Sequence, residues 1–364
     1  MSVALVHDYL TQRGGAERVV LSLLKAFPGA PIYTSLYDPE GTYPEFRGAD
    51  IRTSPLDRVP FLRRDHRLAL PLLARTFSNT KVEEDVVLCS SSGWAHGTQV
   101  CGTKIVYCHS PARWLYATDE YLGGRRRAAR VALAGLRRQL ERWDKNAAAS
   151  ADRYLTNSTA VKRRIERVYG LEAEVVPPPP VLDPAGPRHP VDGIERGFLL
   201  CVSRLLPYKN VGAVVDAFGD LPSERLVVVG AGPEESRLRA AAPPNVRFLG
   251  SVSDEELRWL YANCTGLLAA SYEDYGLTPL EAAGFGKPSA VLRAGGFLDT
   301  VVDGSTGVLF DRPDPSSIKG AVRALVRSSW REEDLCARSE LFSEERFIAR
   351  IRSIVLDEEL ADVA

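Results

Sequence analysis

The chain has 364 residues, 45% of them hydrophobic and 26% charged, a length that suits about two domains, each with its own core, and a composition that excludes a disordered chain. No apolar run approaches the ~20 residues of a membrane span, and the N-terminus reads as a strand rather than a signal sequence, so a cytoplasmic protein without a nucleic-acid partner is expected. The formal charge of −1 conceals a division: residues 1–170 hold 26 Lys and Arg against 17 Asp and Glu, whereas residues 171–364 hold 20 against 30.

Val3–His7 is an apolar strand, and Gly14-Gly15 precedes an amphipathic helix, Ala16–Ala26. A glycine pair there is either a plain tight turn or a place where the backbone can approach a phosphate. Ile32–Ser35, Val86–Cys89 and Lys104–Cys108 read as further strands, the last ending at His109 on a loop edge. Strands alternating with helices imply a mostly parallel sheet. Gly123–Ser150 reads as one long helix and Tyr154–Thr156 as a short strand, after which Asn157-Ser158 caps another helix. The basic excess gathers in Arg63, Arg64, Arg67 and Arg75, in Arg125 to Arg127, Arg130, Arg137, Arg138 and Arg142, and in Lys162 to Arg164 with Arg167. These are either solvated helix faces or a surface for anionic lipid headgroups or a phosphate-bearing acceptor, which allows peripheral contact with the inner face of a membrane. By itself His109 could be an ordinary structural histidine, and Arg113 could brace its loop or bind an acceptor phosphate.

The prolines of residues 177–180, with Pro184, Pro187 and Pro190, mark a linker over 177–196. Strand and helix then alternate again: Gly197–Ser203, Val211–Phe218 capped by Asn210, Arg225–Gly230, Glu234–Ala241, Asn245–Gly250, Asp254–Ala262 and Thr265–Ala270. Ser253 with Glu256 forms a capping box. The expectation is an α/β protein of two doubly wound, Rossmann-like halves, residues 1–176 and 197–342, facing a central cleft, with ligands at the carboxyl ends of the strands. Arg204 and Lys209 stand at one such end; a forked guanidinium and an ammonium there suit a diphosphate, although surface charge is the plainer alternative. Gly230 opens a weaker Gly-x-Gly turn near the nucleotide. The six cysteines, Cys89, Cys101, Cys108, Cys201, Cys264 and Cys336, form no Cys-x-x-Cys pair and are expected as buried reduced thiols. The other histidines show no metal spacing and the chain has no Asp-x-Asp, so no metal cofactor is expected.

The run Glu273 to Glu281, Glu-Asp-Tyr-Gly-Leu-Thr-Pro-Leu-Glu, is the most informative stretch. Thr278 as N-cap, Pro279 as first helical residue and Glu281 as third would make it a capping box, which leaves Glu273 and Gly276 unexplained above a helix N-terminus that favours a phosphate.

With Tyr275 in place of the usual Phe, this run resembles the Glu-x-Phe-Gly-Leu-x-x-x-Glu signature of family 4 retaining glycosyltransferases. His7-Asp8-Tyr9, residues 13–17 (Arg-Gly-Gly-Ala-Glu), residues 27–34, residues 107–113 (Tyr-Cys-His-Ser-Pro-Ala-Arg) and residues 203–209 extend the likeness to nearly the whole chain and resemble the branch with O-antigen mannosyltransferases. The resemblance implies a GT-B fold, with the last helix, from about residue 343, crossing back to the first domain. It implies a nucleotide-sugar donor whose diphosphate is held by Arg204 and Lys209. Glu273 would bind a hydroxyl of the donor sugar and Glu281 the ribose. Gly14, Gly15, Gly230, Phe248, Leu249, Tyr275, Gly276, Leu277 and Thr278 would lie beside the donor, and His109 would meet the transferred sugar. Tyr9 and Arg113 are candidates on the side of a hydroxyl-bearing acceptor. Transfer of mannose from GDP-mannose is the implied reaction, with a UDP-sugar donor, an epimerase or a binding protein without turnover as alternatives.

Overall fold

In the computed structural model, residues 1–116 and 127–357 are described, residues 127–135 by their backbone alone. The chain divides into two compact units, Met1–Pro178 with Glu344–Ala364, and Pro179–Ser343.

The first unit is built on a seven-stranded parallel sheet in the spatial order Ile51–Thr53, Ile32–Thr34, Val3–His7, Val86–Ser91, Thr103–Cys108, Arg153–Thr156 and Glu174–Val175. Its inner strands are apolar on both faces because both faces are covered. Ala4, Val6, Val87, Cys89, Val106 and Cys108 point into one core, and Leu5, Val86, Leu88, Ile105 and Tyr107 into the other. The helix Glu344–Leu356 completes the second of these cores with Phe347, Ile351, Ile354 and Val355. Its start is tied to the first helix, Gly15–Ala26, by Glu344, which accepts from Ser22 at 2.8 Å and from Lys25 at 2.6 Å. The long helix expected over residues 123–150 is described over Arg127–Ala149; Gly123 to Arg126 lie outside the described residues, as do residues 358–364, into which the last helix is expected to run.

The second unit carries a six-stranded parallel sheet in the order Val246–Gly250, Leu226–Val229, Phe198–Val202, Cys264–Ala269, Ser289–Leu292 and Gly307–Phe310. Alternation again divides it: Leu199, Cys201, Leu226 and Val228 face one core, Phe198, Leu200, Val227 and Val229 the other. The proline-rich stretch belongs to this unit from Pro179 onward, with Leu182 buried in its core and Arg258 donating to the Asp183 carbonyl at 2.9 Å.

In each unit the strand order runs outward both ways from the first strand, which creates a switch point at the carboxyl ends of two neighbouring strands. In the first unit this point lies between Val3–His7 and Val86–Ser91, and in the second between Phe198–Val202 and Cys264–Ala269. Cys89, Cys108, Cys201 and Cys264 are buried, Cys336 is half-buried and Cys101 is exposed. Burial pushes the Cys89, Cys201 and Cys264 thiols up to about 12. Among the described residues no helix is long and apolar enough to cross a membrane.

Candidate active site

Arg204, Lys209 and Glu273 stand at the switch point of the second unit, on the two loops that leave its central strands. Lys209 Nζ donates to Glu273 Oε1 at 2.5 Å, with the lysine side chain 11% exposed and the carboxylate 25%. Ser271 Oγ donates to the same oxygen, and the ammonium stands 5.1 Å from the centroid of the Tyr208 ring. Lys209 is therefore an anchored cation rather than a mobile one, and Glu273 is oriented before any ligand arrives. Arg204 is exposed, with a 3.3 Å hydrogen bond from Nη2 to the Tyr208 hydroxyl. A reaching guanidinium beside a fixed ammonium is suited to an anion with several oxygens.

The signature run departs from the expected cap. The helix spans Leu277–Gly284 with Gly276 as N-cap and no side-chain cap, so Thr278 is the second helical residue. Glu281 does not close a capping box; its carboxylate is buried and accepts from the Tyr261 hydroxyl at 2.8 Å. The helix starts two residues early because Gly276 has φ +96°, and a Cβ there would stand 2.6 Å from the Phe297 ring. A second glycine pair, which the sequence did not single out, supports this loop. The Gly296 N–H donates to the Glu273 carbonyl at 2.8 Å, and Cβ atoms on Gly295 and Gly296 would lie 2.1 Å from the carbonyls of Glu273 and Tyr275. Backbone packed on backbone thus holds Glu273 in place.

Around this centre the remaining residues take less chemical places. The Tyr275 side chain is buried with Leu280 and Phe342, so it anchors the loop from inside rather than facing a ligand. Leu277 and Thr278 are half-buried in the first helical turn. Gly230 ends its strand with φ +123° against the Ser203 carbonyl, bringing that turn beside Arg204. The Phe248 carbonyl accepts from Arg239 at 2.8 Å, and the Phe248 ring packs on one core while Leu249 packs on the other. Asn210 stands at a helix N-cap position with φ 54°, but its side chain donates instead to the Ala270 carbonyl at 2.9 Å, joining the Lys209 loop to the Glu273 loop. The box at Ser253 and Glu256 forms with both of its hydrogen bonds.

The first unit gathers a second group at its own switch point. His109 follows the strand Thr103–Cys108; its Nε2 is 2.8 Å from Ser90 Oγ and its ring lies edge-on to Tyr107 at 5.2 Å. Burial, and then the neighbouring His7, push the His109 pKa down to about 3, so the ring is neutral at ordinary pH. Gly14 is the N-cap of the first helix and Gly15 its first residue. Tyr9 stacks on His66 at 4.1 Å, and Arg113 is exposed at the start of the short helix Arg113–Tyr116. Asp8, buried, accepts from the N–H groups of Ser92 at 2.7 Å and Ala95 at 2.6 Å, which fixes the loop after Val86–Ser91. Among the described residues no cluster of three His, Cys, Asp or Glu is placed to hold a metal ion.

The folds of the two units have close counterparts. A protein of Anabaena, HepE, solved in complex with UDP-glucose, superposes with a TM-score of 0.69 at 17% identity, covering 98% of this chain and 99% of its own. The chain thus has the fold of the GT-B glycosyltransferases. Residues 13–182 match the Glycosyltransferase Family 4 model and residues 192–340 the Glycosyl transferases group 1 model, and these matches place the chain with glycosyltransferases of the family 4 type. Among curated relatives, a D-inositol 3-phosphate glycosyltransferase of Acidothermus cellulolyticus is 33% identical over 218 residues, 51% of this chain and 48% of that protein. The alpha-1,3/1,6-mannosyltransferase ALG2 of Dictyostelium discoideum is 46% identical over 148 residues, 33% of this chain and 35% of that one. The chain spans half or less of the length of these relatives.

Proposed function

We propose that the chain is a retaining hexosyltransferase that moves mannose from GDP-mannose to a hydroxyl of a glycan, lipid-linked or small-molecule acceptor. The observation that carries the reading is the Lys209–Glu273 pair at the switch point of the second unit, with Arg204 on the same loop as Lys209. Arg204 and Lys209 take the diphosphate, whose charge grows as the glycosidic bond breaks, with Lys209 fixed in place on Glu273 before it does. Glu273, oriented by Lys209 and Ser271, accepts from a hydroxyl of the donor sugar, and Glu281 serves the ribose. The acceptor oxygen bonds to the anomeric carbon on the face from which the phosphate departs. Its proton passes to the leaving phosphate oxygen, so the α-configuration is kept and no enzymic nucleophile is used. His109 acts on the transferred sugar as a neutral hydrogen-bonding group. With two side-chain cations on the leaving group, the reaction runs without a divalent metal.

The mannose assignment is supported by the 46% identity to a mannosyltransferase over 148 residues. Peripheral contact with an anionic membrane is supported by residues 60–79, where Phe61, Leu68 and Leu72 are 60%, 54% and 46% exposed among the exposed Arg64, Arg67 and Arg75. The test is a panel of GDP-mannose, UDP-glucose, UDP-galactose and UDP-N-acetylglucosamine, with and without EDTA, followed by NMR of the product. GDP-mannose consumption in EDTA with an α-linked product is expected. Turnover of UDP-sugars alone would move the donor, conversion of donor without acceptor would make the protein an epimerase, and strict dependence on Mg²⁺ in the chemical step would overturn the charge assignment.

A further inference from the structure

Behind His109 the first unit buries a chain of polar side chains that the reaction above does not use. Ser90 Oγ is 2.8 Å from His109 Nε2 and 3.1 Å from His7 Nδ1; the same His7 nitrogen is 3.1 Å from the Ser90 carbonyl. On the other side of the ring, His7 Nε2 stands 3.8 Å from Glu17 Oε1, an ion-pair separation, and Gln12 donates to that oxygen at 2.9 Å. His7 is 2% exposed and Glu17 1%.

The protons on this chain follow from donor chemistry. A carbonyl can only accept, so His7 Nδ1 carries a proton and gives it to Ser90. Glu17 faces Nε2 and favours a proton there too, which makes the pair an imidazolium and a carboxylate. Burial works against both charges, yet their attraction outweighs it: the His7 pKa is raised and the Glu17 pKa is lowered. Ser90 Oγ accepts from His7, and among the described residues its own hydrogen has one acceptor within reach, His109 Nε2. A ring nitrogen that accepts carries no proton, so the proton of neutral His109 sits on Nδ1, which has no partner among the described residues.

We propose that Glu17, His7 and Ser90 are positioning residues that fix His109 as the neutral Nδ1–H tautomer, offering the transferred sugar a hydrogen-bond donor without a charge. The proposal rests on the reading of His109 as a group that meets that sugar. It also explains the spacing of Gly14 and Glu17: the second oxygen of Glu17 lies beneath the glycine turn, and a Cβ on Gly14 would be 2.5 Å from it. The turn is open there because the carboxylate of the relay fills the space a side chain would take. The other titratable groups around the chain are Asp8, held by two backbone N–H groups, His66, stacked on Tyr9, and Tyr107, against the His109 ring.

The experiment is ring NMR of the full chain labelled with ¹⁵N-histidine, beside kinetics with GDP-mannose, for wild type, Glu17→Gln, Ser90→Ala and the conservative Glu17→Asp and Ser90→Thr. In wild type His109 should show a proton on Nδ1 and an accepting Nε2, with no titration above pH 5. In Glu17→Gln and Ser90→Ala it should become a mixture of tautomers, still neutral because its burial is unchanged. With that change kcat should fall about tenfold while donor KM stays within twofold. Glu17→Asp and Ser90→Thr should restore most of the tautomer and rate, and unchanged circular dichroism certifies the fold. A His109 tautomer unaltered in both disruptive variants would overturn the relay. A tautomer that shifts while kcat and KM stay at wild-type values would instead uphold the relay and remove His109 from the reaction.

Discussion

Arg204 and Lys209 differ in one respect that mutation can expose: Lys209 is built into the fold and Arg204 is not. Lys209→Ala leaves Glu273 without its 2.5 Å partner at a site where the carboxylate is only 25% exposed. Breaking a fully buried pair costs about 3–5 kcal/mol and a surface pair about 0–1 kcal/mol, so this half-buried pair should cost about 1–2 kcal/mol. At about 2–4 °C per kcal/mol for a unit of this size, the melting temperature should drop by several degrees. Arg204→Ala removes an exposed side chain with a 3.3 Å hydrogen bond and should change stability by less than about 0.5 kcal/mol. Both variants should lose about 10²-fold or more in kcat/KM, since each removes a cation from the leaving group. Glu273→Gln belongs to the same series: it keeps an oxygen for Ser271 and Lys209 but loses its charge, so it should lower the melting temperature less than Lys209→Ala does while depressing kcat strongly. Thermal melts and donor kinetics on the three variants decide the matter. Wild-type kinetics in Arg204→Ala and Lys209→Ala would refute the diphosphate assignment, and a thermally silent Lys209→Ala would refute the pair's place in the fold.

The depressed His109 pKa, about 3 against an ordinary 6.5 and caused by burial and then by His7, makes stability depend on pH in one direction. The unfolded chain takes up a proton at this ring that the folded state refuses, so the contribution of His109 is whole above 6.5 and falls by up to about 1.4 kcal/mol per pH unit below it. His109→Gln, which keeps an acceptor for Ser90, should remove that slope in denaturant titrations at pH 5 and pH 7, and an unchanged slope would contradict the assignment. At Glu281, replacement by Gln keeps an acceptor for the Tyr261 hydroxyl and should cost little stability while raising donor KM, whereas Glu281→Ala should cost about 1–3 kcal/mol by leaving that buried hydroxyl unpaired. Equal melting temperatures for the two would show that the Tyr261 bond contributes nothing. Binding to anionic vesicles should weaken as salt rises and should fall further in Phe61→Ser with Leu72→Ser; salt-independent binding, or none at low salt, would remove the membrane reading.

The parts of this protein that were legible in its sequence are those written in short stretches. Val3–His7 and Phe198–Val202 announce themselves because a parallel strand covered on both faces is apolar throughout, and Arg204 and Lys209 could be placed at a strand end by counting from one. Short strands such as Ile51–Thr53 and Glu174–Val175 carry too few residues to show a period, and they went unread. The cap at Thr278 was misread for a related reason. Thr-Pro-Leu-Glu satisfies the local rule for a helix start, but the start is set by Gly276 and by the glycine pair at 295 and 296, which lies some twenty residues further along the chain. The same holds for the chemistry. Lys209 and Glu273 are 64 residues apart, His109 and Ser90 are 19, and Ser90 and His7 are 83, so each pairing exists only once parallel strands bring their carboxyl ends together. Strand order therefore does for this protein what a contiguous motif cannot. It converts a lysine and a glutamate that look like ordinary surface charges into an oriented pair, and a histidine at a loop edge into one end of a buried relay whose other end lies beneath a glycine turn. A motif search ranks Glu17 as part of a spacing pattern; the topology gives its carboxylate a partner and makes its replacement by Gln the most direct probe of how His109 is held.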